Sequence, residues 1–324
     1  MSRNSVSVII PNYNHAAFLH QRIESVLNQT LQPYEIIILD DCSTDNSVEI
    51  IESYVVKYPG IKFIRNFFNS GSTFIQWNKG VSIAKGDLIW IAESDDVADL
   101  NFLMKTISFF NKADEIKLAY CQSNRMNNDG EITGTWKSFT DDLSNHFFNK
   151  DFIGDGKNYI ELFLIHRNTI PNASAVLFSR EAYIKCGGAD EQLKNVGDWL
   201  VWLKILIAGK IAYTSECLNN FRYHSESVIA KAVKNVDQAD FNDWYGLAMR
   251  KQLVQFLKKS KTKISKQALK INACYMATDK GNLGLYKLKK RKFIAGWKLI
   301  LQVSFYPTLQ SGFIKKAISL KKTN

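Results

Sequence analysis

The chain has 324 residues, of which 46% are hydrophobic and 23% charged, an ordinary globular composition with room for a large core and more than one domain. Its net charge of +11 is divided unevenly: residues 1–243 hold 23 Lys and Arg against 30 Asp and Glu, whereas residues 244–324 hold 19 against one acid, Asp279. Five dispersed cysteines (Cys42, Cys121, Cys186, Cys217 and Cys274) without a CxxC pair speak against a disulfide framework or a thiolate zinc site and suit a reducing cytosol.

The amino terminus, MSRNSVSVIIPNYN, runs into a β-branched strand pattern at Val6–Ile10 with no long apolar secretory segment before it. PNYNH reads as a turn. Phe18, Ile23, Val26 and Leu27 mark a helix, and Tyr34–Asp40 (YEIIILD) is a second buried strand. Ser43, Thr44 and Asp45 can cap a helix whose Val48, Ile51, Tyr54 and Val55 share one face. IKFIRN predicts a third strand, Thr73–Ala84 a helix, and DLIWIAE a fourth strand. Strands separated by helices of this length imply right-handed crossovers. The fold class is therefore α/β, a mainly parallel sheet with helices on both faces, whose ligands bind beyond the carboxyl ends of the strands.

The polar clusters all fall at that edge. Pro11–Asn14 follow the first strand, Asp40 and Asp41 close the second, Asn69–Ser72 follow the third, and Glu93–Asp96 close the fourth. Further on, CQSNRMNNDGEITGTW predicts a hairpin, and residues 138–160 a loop over the site. NASAVLFSREAYIKCGG reads as strand, helix and glycine stop. GDWLVWLKILIAGK is an apolar helix opening with Asp198, followed by the strand IAYTS and the segment FRYHSESVIA.

Three carboxylates at the end of a buried strand, Glu93, Asp95 and Asp96, raise one another's pKa, and chains keep such clusters where a cation lies between them. Oxygen ligands select Mg2+ or Mn2+, and no His/Cys cluster is apparent in the sequence to favour zinc. Ions of this kind are bound by one or two carboxylates and substrate phosphates, so ESD looks like half of a site completed by a diphosphate. Asp40 and Asp41 can accept hydrogen bonds from a nucleobase or ribose. A helix-capping role competes for all these acids and is the better reading for Asp45. Trp77, Trp90, Trp199 and Trp202 sit in apolar runs and read as core, and His15 as a cap.

VSVIIPNYNHAAFLHQRIESVLNQTLQPYEIIILDDCSTDNS, followed by NSGSTFIQWNKGVSIAKGDLIWIAESDD, resembles the opening of the family 2 glycosyltransferases, which have the GT-A (Rossmann-like) fold. The similarity is dense from Val6 to Ser108 and returns at NASAVLFSREA, GDWLVWLKIL and FRYHSESV. It implies a metal-dependent inverting hexosyltransferase that moves a sugar from a nucleoside-diphosphate sugar, UDP-linked, to a saccharide or lipid-linked acceptor in bacterial surface polysaccharide synthesis. By the same resemblance Pro11 and Tyr13 line the base pocket, Asp40 binds the base, and Asp41 lies near the ribose. Glu93, Ser94 and Asp95 occupy the DxD motif, Asp95 on the metal and Glu93 toward the ribose. Asn69, Gly71 and Asn78 fall near the nucleotide, although a turn and a helix cap also explain them. His224 meets the metal or diphosphate, or else holds a loop. Asp198 stands where the family has its catalytic base, with Gly197 in place of the family's common Glu.

The expected organisation is a catalytic domain over 1–235, with a nucleotide-binding half to about 115 and an acceptor half beyond it, followed by a basic helical region over 236–324. In that region the longest uncharged run, Leu299–Ile314, is shorter than the roughly 20 apolar residues of a membrane span. Lys interleaved with aromatic and aliphatic residues suggests helices lying on an anionic membrane surface, hence a cytoplasmic protein peripheral at the inner face of the membrane. A solvated helical bundle is the competing reading, and no nucleic-acid motif accompanies the charge. A nucleotide-binding homologue without turnover remains an alternative, given Glu93 and Gly197. A nucleotidyltransferase would need a Gly-rich basic loop after the first strand, and PNYNH is not one.

Overall fold

The computed structural model of the chain describes residues 4–144, 146–170, 172–193, 196–224, 238–260, 262–303 and 306–322. These fall into two compact units, one of residues 1–164 and 168–224, the other of 165–167 and 225–324. The expected domain boundary at 235 lies outside the described residues.

In the first unit the strands are β1 (Val6–Asn12), β2 (Glu35–Asp40), β3 (Ile61–Arg65), β4 (Leu88–Ile91), β5 (Val97–Ala98), β6 (Ile116–Met126), β7 (Ile132–Thr135), β8 (Phe152–Asp155), β9 (Val176–Ser179) and β10 (Lys210–Arg222). They form one sheet in the order β3-β2-β1-β4-β9-β6-β10-β5, with β7 on β6 and β8 on β10. The pairs β1–β2, β1–β4, β2–β3 and β6–β10 are parallel. β9 runs against both β4 and β6, and β5 against β10. The other six strands on that path point the same way, the mainly parallel arrangement that the alternating pattern predicts.

The helices follow from the same periodicity. Val6, Val8 and Ile10 on one face of β1 join a core with Leu19, Ile23 and Val26 of α1 (Ala16–Leu27), Ile51 and Tyr54 of α2 (Ser47–Lys57), and Phe102, Leu103 and Ile107 of α4 (Phe102–Phe110). Trp90 of β4 and Phe102 pack at 4.6 Å, their rings tilted by 35°, in that layer. Elsewhere in the core, Trp77 of α3 (Thr73–Ile83) lies 6.0 Å from Trp202 of α5 (Gly197–Leu206), which in turn lies 5.6 Å from Phe178 of β9. Burying rings of this size supplies much of the driving force for folding.

The stretch 138–160 differs from its reading as a loop over the site. It contributes β8, antiparallel to Lys210–Tyr213 at the start of β10. The reason is aromatic: Phe148 and Phe152 pack against Tyr213 at 6.0 and 5.1 Å, away from the carboxyl ends of the parallel strands. β10 also runs further than IAYTS, through irregular register between Thr214 and Asn219, and so delivers Arg222 to the site edge.

The second unit is helical, with segments Gln238–Lys259, Lys266–Lys289, Phe293–Leu301 and Pro307–Lys322. Leu288, Ile300 and Phe313 form a small core there, with Leu285 and Trp297 against it. Among the described residues no helix is long and apolar enough to cross a membrane.

Candidate active site

Two loops are pinned together at the ends of β1 and β2. Asp40 is fully buried and accepts hydrogen bonds from Asn12 Nδ2 at 2.8 Å and from the Ser43 amide at 2.9 Å, while the Ser43 hydroxyl also donates to it. Asn14 ties back through its amide to Ser43 Oγ at 2.9 Å and accepts from the Thr44 amide at 2.7 Å. Both Asn14 and Cys42 have positive φ, 54° and 65°, so the two turns are tight. This arrangement corrects one expectation. The Asp40 carboxylate, enclosed and already accepting, organises the loops and has no open face toward a base.

Asp41 is similarly committed. It accepts from Asn66 Nδ2 at 2.6 Å, from the Ser70 amide and hydroxyl, and from Gln76 Nε2 at 2.9 Å. It thereby fixes the β3–α3 loop beside the second strand. Asn69 makes an Asx-type bond to the Gly71 amide, 2.6 Å, and Gly71 takes φ 72°. The turn explanation therefore accounts for both residues. Asn78 donates to the Ala189 carbonyl and Glu191 and accepts from the Tyr183 hydroxyl, holding the 183–191 turn. Of the expected base-pocket pair, Pro11 is buried and Tyr13 is 42% exposed.

The acid turn after β4 is held from several sides. The Ser174 hydroxyl accepts from the Glu93 amide at 3.1 Å, and the Trp77 indole donates to Glu93 Oε1 at 2.8 Å. Trp77, read from sequence as core, thus also orients an acid. Burial, with Asp95 and Asp96 nearby, pushes the Glu93 carboxyl up to about 8 against the Trp77 bond. Asp96 is buried and accepts from the Arg222 amide at 2.9 Å and from Asn172 Nδ2 at 3.1 Å. Desolvation and the Asp95 charge raise it to about 6, with Arg22 opposing.

Two buried arginines serve this turn, and sequence reading missed both. Arg22, wholly enclosed, donates to the Glu93 carbonyl at 2.7 Å and to Ser174 Oγ at 3.2 Å, with Nη2 4.0 Å from Asp96. Desolvation lowers its guanidinium to about 10 despite the three acids around it. Arg222 donates to the Asp95 carbonyl at 2.8 Å and to the Asn127 and Asn128 carbonyls, and lies over the Phe18 ring. An Arg in an apolar helical pattern was the only available signal for Arg22.

Asp95 meets two histidines. His224 Nε2 lies 3.0 Å from Asp95 Oδ2, and His15 Nδ1 lies 2.7 Å from Ser94 Oγ. The two imidazoles approach edge to face at 5.4 Å, with Phe18 beside them. Burial pushes Asp95 upward, but the His224 bond and the charges of His15 and His224 outweigh it and hold the carboxyl below its ordinary value. One donor atom from each of His15, Asp95 and His224 lies within 4.8 Å of the others. An ion with bonds of about 2.0–2.2 Å separates its ligands by roughly 3–4 Å, so a modest closure of the three would seat it. His15, expected only to cap, belongs to this group. The absence of a histidine cluster is thus corrected: residues remote in sequence form one. Two imidazoles and a carboxylate fit Mn2+ better than Mg2+, whose preference is for oxygen throughout.

Asp198 opens α5 and keeps partial exposure, with Asn168 Nδ2 donating to its Oδ2 at 2.9 Å. Burial raises its carboxyl to about 6, against the Trp199 amide and Asn168 bonds. A carboxyl of that affinity is ionised at neutral pH yet still accepts a proton readily. The neighbouring Gly197 is enforced: a Cβ there would meet the Phe74 ring at 2.5 Å. The ring, packed edge to face on Trp77 at 5.0 Å, occupies the space into which a side chain at 197 would project.

Among curated proteins, the chain is 36% identical over 106 residues to poly(ribitol-phosphate) beta-glucosyltransferase from Bacillus spizizenii, a match covering 32% of this chain and 17% of that one. It spans less than half the length of the curated relatives it matches. Among solved structures, residues 1–349 of Staphylococcus aureus TarS in complex with UDP-GlcNAc superpose with a TM-score of 0.62 at 16% identity, over 96% of this chain and 92% of that one. The mannosyltransferase PcManGT from Pyrobaculum calidifontis, in complex with GDP-Man and Mn2+, gives 0.59 at 13% identity over 99% and 88%. These likenesses confirm the GT-A fold. With its strand order, its acid turn at the sheet edge, and a match to the pattern of Glycosyl transferase family 2 over residues 7–183, more than half its length, the chain belongs to that family.

Proposed function

We propose that the protein is a metal-dependent, inverting glycosyltransferase that uses a UDP-linked sugar and extends a saccharide or lipid-linked acceptor of a bacterial surface polysaccharide. The observation that carries this reading is the His15–Asp95–His224 cluster at the acid turn, to which Asp198 adds a carboxyl raised to about 6 at the head of a buried helix. The UDP-GlcNAc bound to the TarS structure and the poly(ribitol-phosphate) acceptor in the Bacillus relative's name support the donor and acceptor classes. The Mn2+ of the archaeal mannosyltransferase supports the ion.

In this reading Asp95, His224 and His15 hold the ion, Tyr13 and Ser94 border the nucleotide, and Asp41 fixes the β3–α3 loop at its ribose edge. When bound, the ion supplies Lewis-acid neutralisation of the diphosphate charge. Asp198 takes the proton from the acceptor hydroxyl as its oxygen bonds to the anomeric carbon, while the bond from that carbon to the diphosphate oxygen breaks with its electron pair leaving on the nucleotide. Attack from the face opposite the departing diphosphate inverts the centre. Asn168 holds Asp198 for that transfer. Residues to about 115 serve the nucleotide and those from about 116 the acceptor, while the basic carboxy-terminal helices keep the protein peripheral at the inner face of the membrane.

Calorimetric titration of UDP and of GDP, each with and without Mn2+, tests the reading on wild type and on Asp95→Ala. UDP binding that requires Mn2+ and is lost in the variant is the expected result. Binding of neither nucleotide would overturn it.

A further inference from the structure

The second unit carries a surface that the transfer chemistry does not use. Helix Lys266–Lys289 ends in a tight turn: the Lys292 amide bonds to the Lys287 carbonyl at 2.8 Å and the Arg291 amide to the Leu288 carbonyl at 2.9 Å. Such a Schellman ending needs a left-handed residue, normally glycine, and here Arg291 takes that conformation with φ 60°. A charged side chain stands at a position that ordinarily favours glycine.

The six residues of this tip, Lys289-Lys290-Arg291-Lys292-Phe293-Ile294, are all exposed. Phe293 is 50% and Ile294 89% exposed. They begin helix Phe293–Leu301, which turns Gly296 and Ile300 inward against Gly284 and Leu288 of the preceding helix. A Cβ on Gly284 would meet Ile300 at 2.8 Å, so the two helices lie close and the shorter one is fixed in rotation. Its opposite face then presents Ile294, Lys298 and Leu301, one helical turn apart, with Leu301 56% exposed. Four consecutive cations lead into an outward apolar stripe that carries a fifth.

We infer that this tip and stripe form the docking surface for an anionic lipid bilayer, with the four cations at the headgroups and Phe293, Ile294 and Leu301 inserted at the acyl boundary. The inference rests on the membrane contact proposed above and assigns it to one surface. Charge selects the occupant. Cations flanking exposed aliphatic and aromatic side chains match an interface that is anionic outside and apolar just beneath. A protein partner would leave a run of like charges needing matched acids. Residues 244–324 hold one acid, Asp279, and it lies 3.8 Å from Arg250.

Co-sedimentation of the full chain with vesicles of phosphatidylcholine alone, and of phosphatidylcholine mixed with phosphatidylglycerol, tests the assignment. Wild type is expected to bind only the mixed vesicles. Ile294→Glu with Leu301→Glu should lower partitioning about tenfold or more, and Lys289→Glu with Lys292→Glu at least about fivefold per cation removed. The circular dichroism and UDP affinity of both variants should stay as in wild type. Failure of wild type to bind mixed vesicles would overturn the membrane contact and this surface together. Binding by wild type that both variants retain would leave the membrane contact standing and overturn the surface. Preferential capture of a single-stranded RNA over the mixed vesicles would also overturn it.

Discussion

His224 bonds to Asp95 at 3.0 Å, although the two residues are separated by 129 positions in the chain. The contact links the end of β10 to the acid turn after β4. In the proposed enzyme His224→Ala should reduce Mn2+-dependent UDP affinity by at least about tenfold, the loss usual when a residue that supports a metal site is removed. Affinity in chelator should hardly change, and the ratio of the two calorimetric constants is the measurement.

Asp198 yields two opposed expectations. With a folded pKa near 6 and an unfolded value near 3.8, the folded chain holds this proton more tightly than the unfolded chain. The ionised carboxylate therefore costs stability above pH 6, up to about 3 kcal/mol, and the cost fades as pH falls from about 6 toward 4. Asp198→Asn should raise the melting temperature at pH 7.5, show little gain at pH 4, and abolish transfer. In wild type, kcat/KM should climb through about pH 6 and level above it.

Gly197 and Phe74 act as a pair. Gly197→Ala places a methyl against a buried ring and should cost about 1–3 kcal/mol in urea unfolding, with a fall in transfer as Asp198 shifts. Combining it with Phe74→Leu should recover part of both losses, whereas Phe74→Leu alone opens a cavity. Additive costs in the double variant would show that the ring is not what restricts this position.

Arg22 gives the sharpest stability test. Replacing it with Met leaves Asp96 buried without its nearest cation and should cost about 3–5 kcal/mol, read from denaturant midpoints. Arg22→Lys should recover only part, because one ammonium cannot reproduce the paired bonds to the Glu93 carbonyl and Ser174.

Much of the architecture was legible because the signals were local. The runs at Val6–Ile10, Tyr34–Asp40 and Asp87–Glu93 are apolar and closed by polar turns, and they became β1, β2 and β4. The position of each cluster after a strand placed the site edge. What sequence could not show were relationships across the chain. The question raised by the acids at 93–96 was which cation balances them. Part of the answer is internal: Arg22 and Arg222 enclose the turn, and nothing in the local sequence around either arginine marks that role. Asp40 reads identically whether it faces a ligand or Ser43, and only its enclosure distinguishes the two. His15 and His224 lie too far apart in sequence for any spacing rule to join them.

The position of β9 bears on how this molecule is made. It lies between β4 and β6, so β4 lacks one neighbour until residues 176–179 have been synthesised. The 3-10 turn just before it supplies Ser174, which bonds to the Glu93 amide and Arg22, and whose carbonyl accepts the Trp90 indole at 2.8 Å. A nascent chain that has emerged only as far as α4 therefore exposes a strand edge and leaves those polar groups unpaired. Two segments separated by more than 80 residues must meet before the acid turn acquires its shape. The amino-terminal half, excised at about residue 115, should behave as an aggregation-prone fragment rather than as a small nucleotide-binding domain.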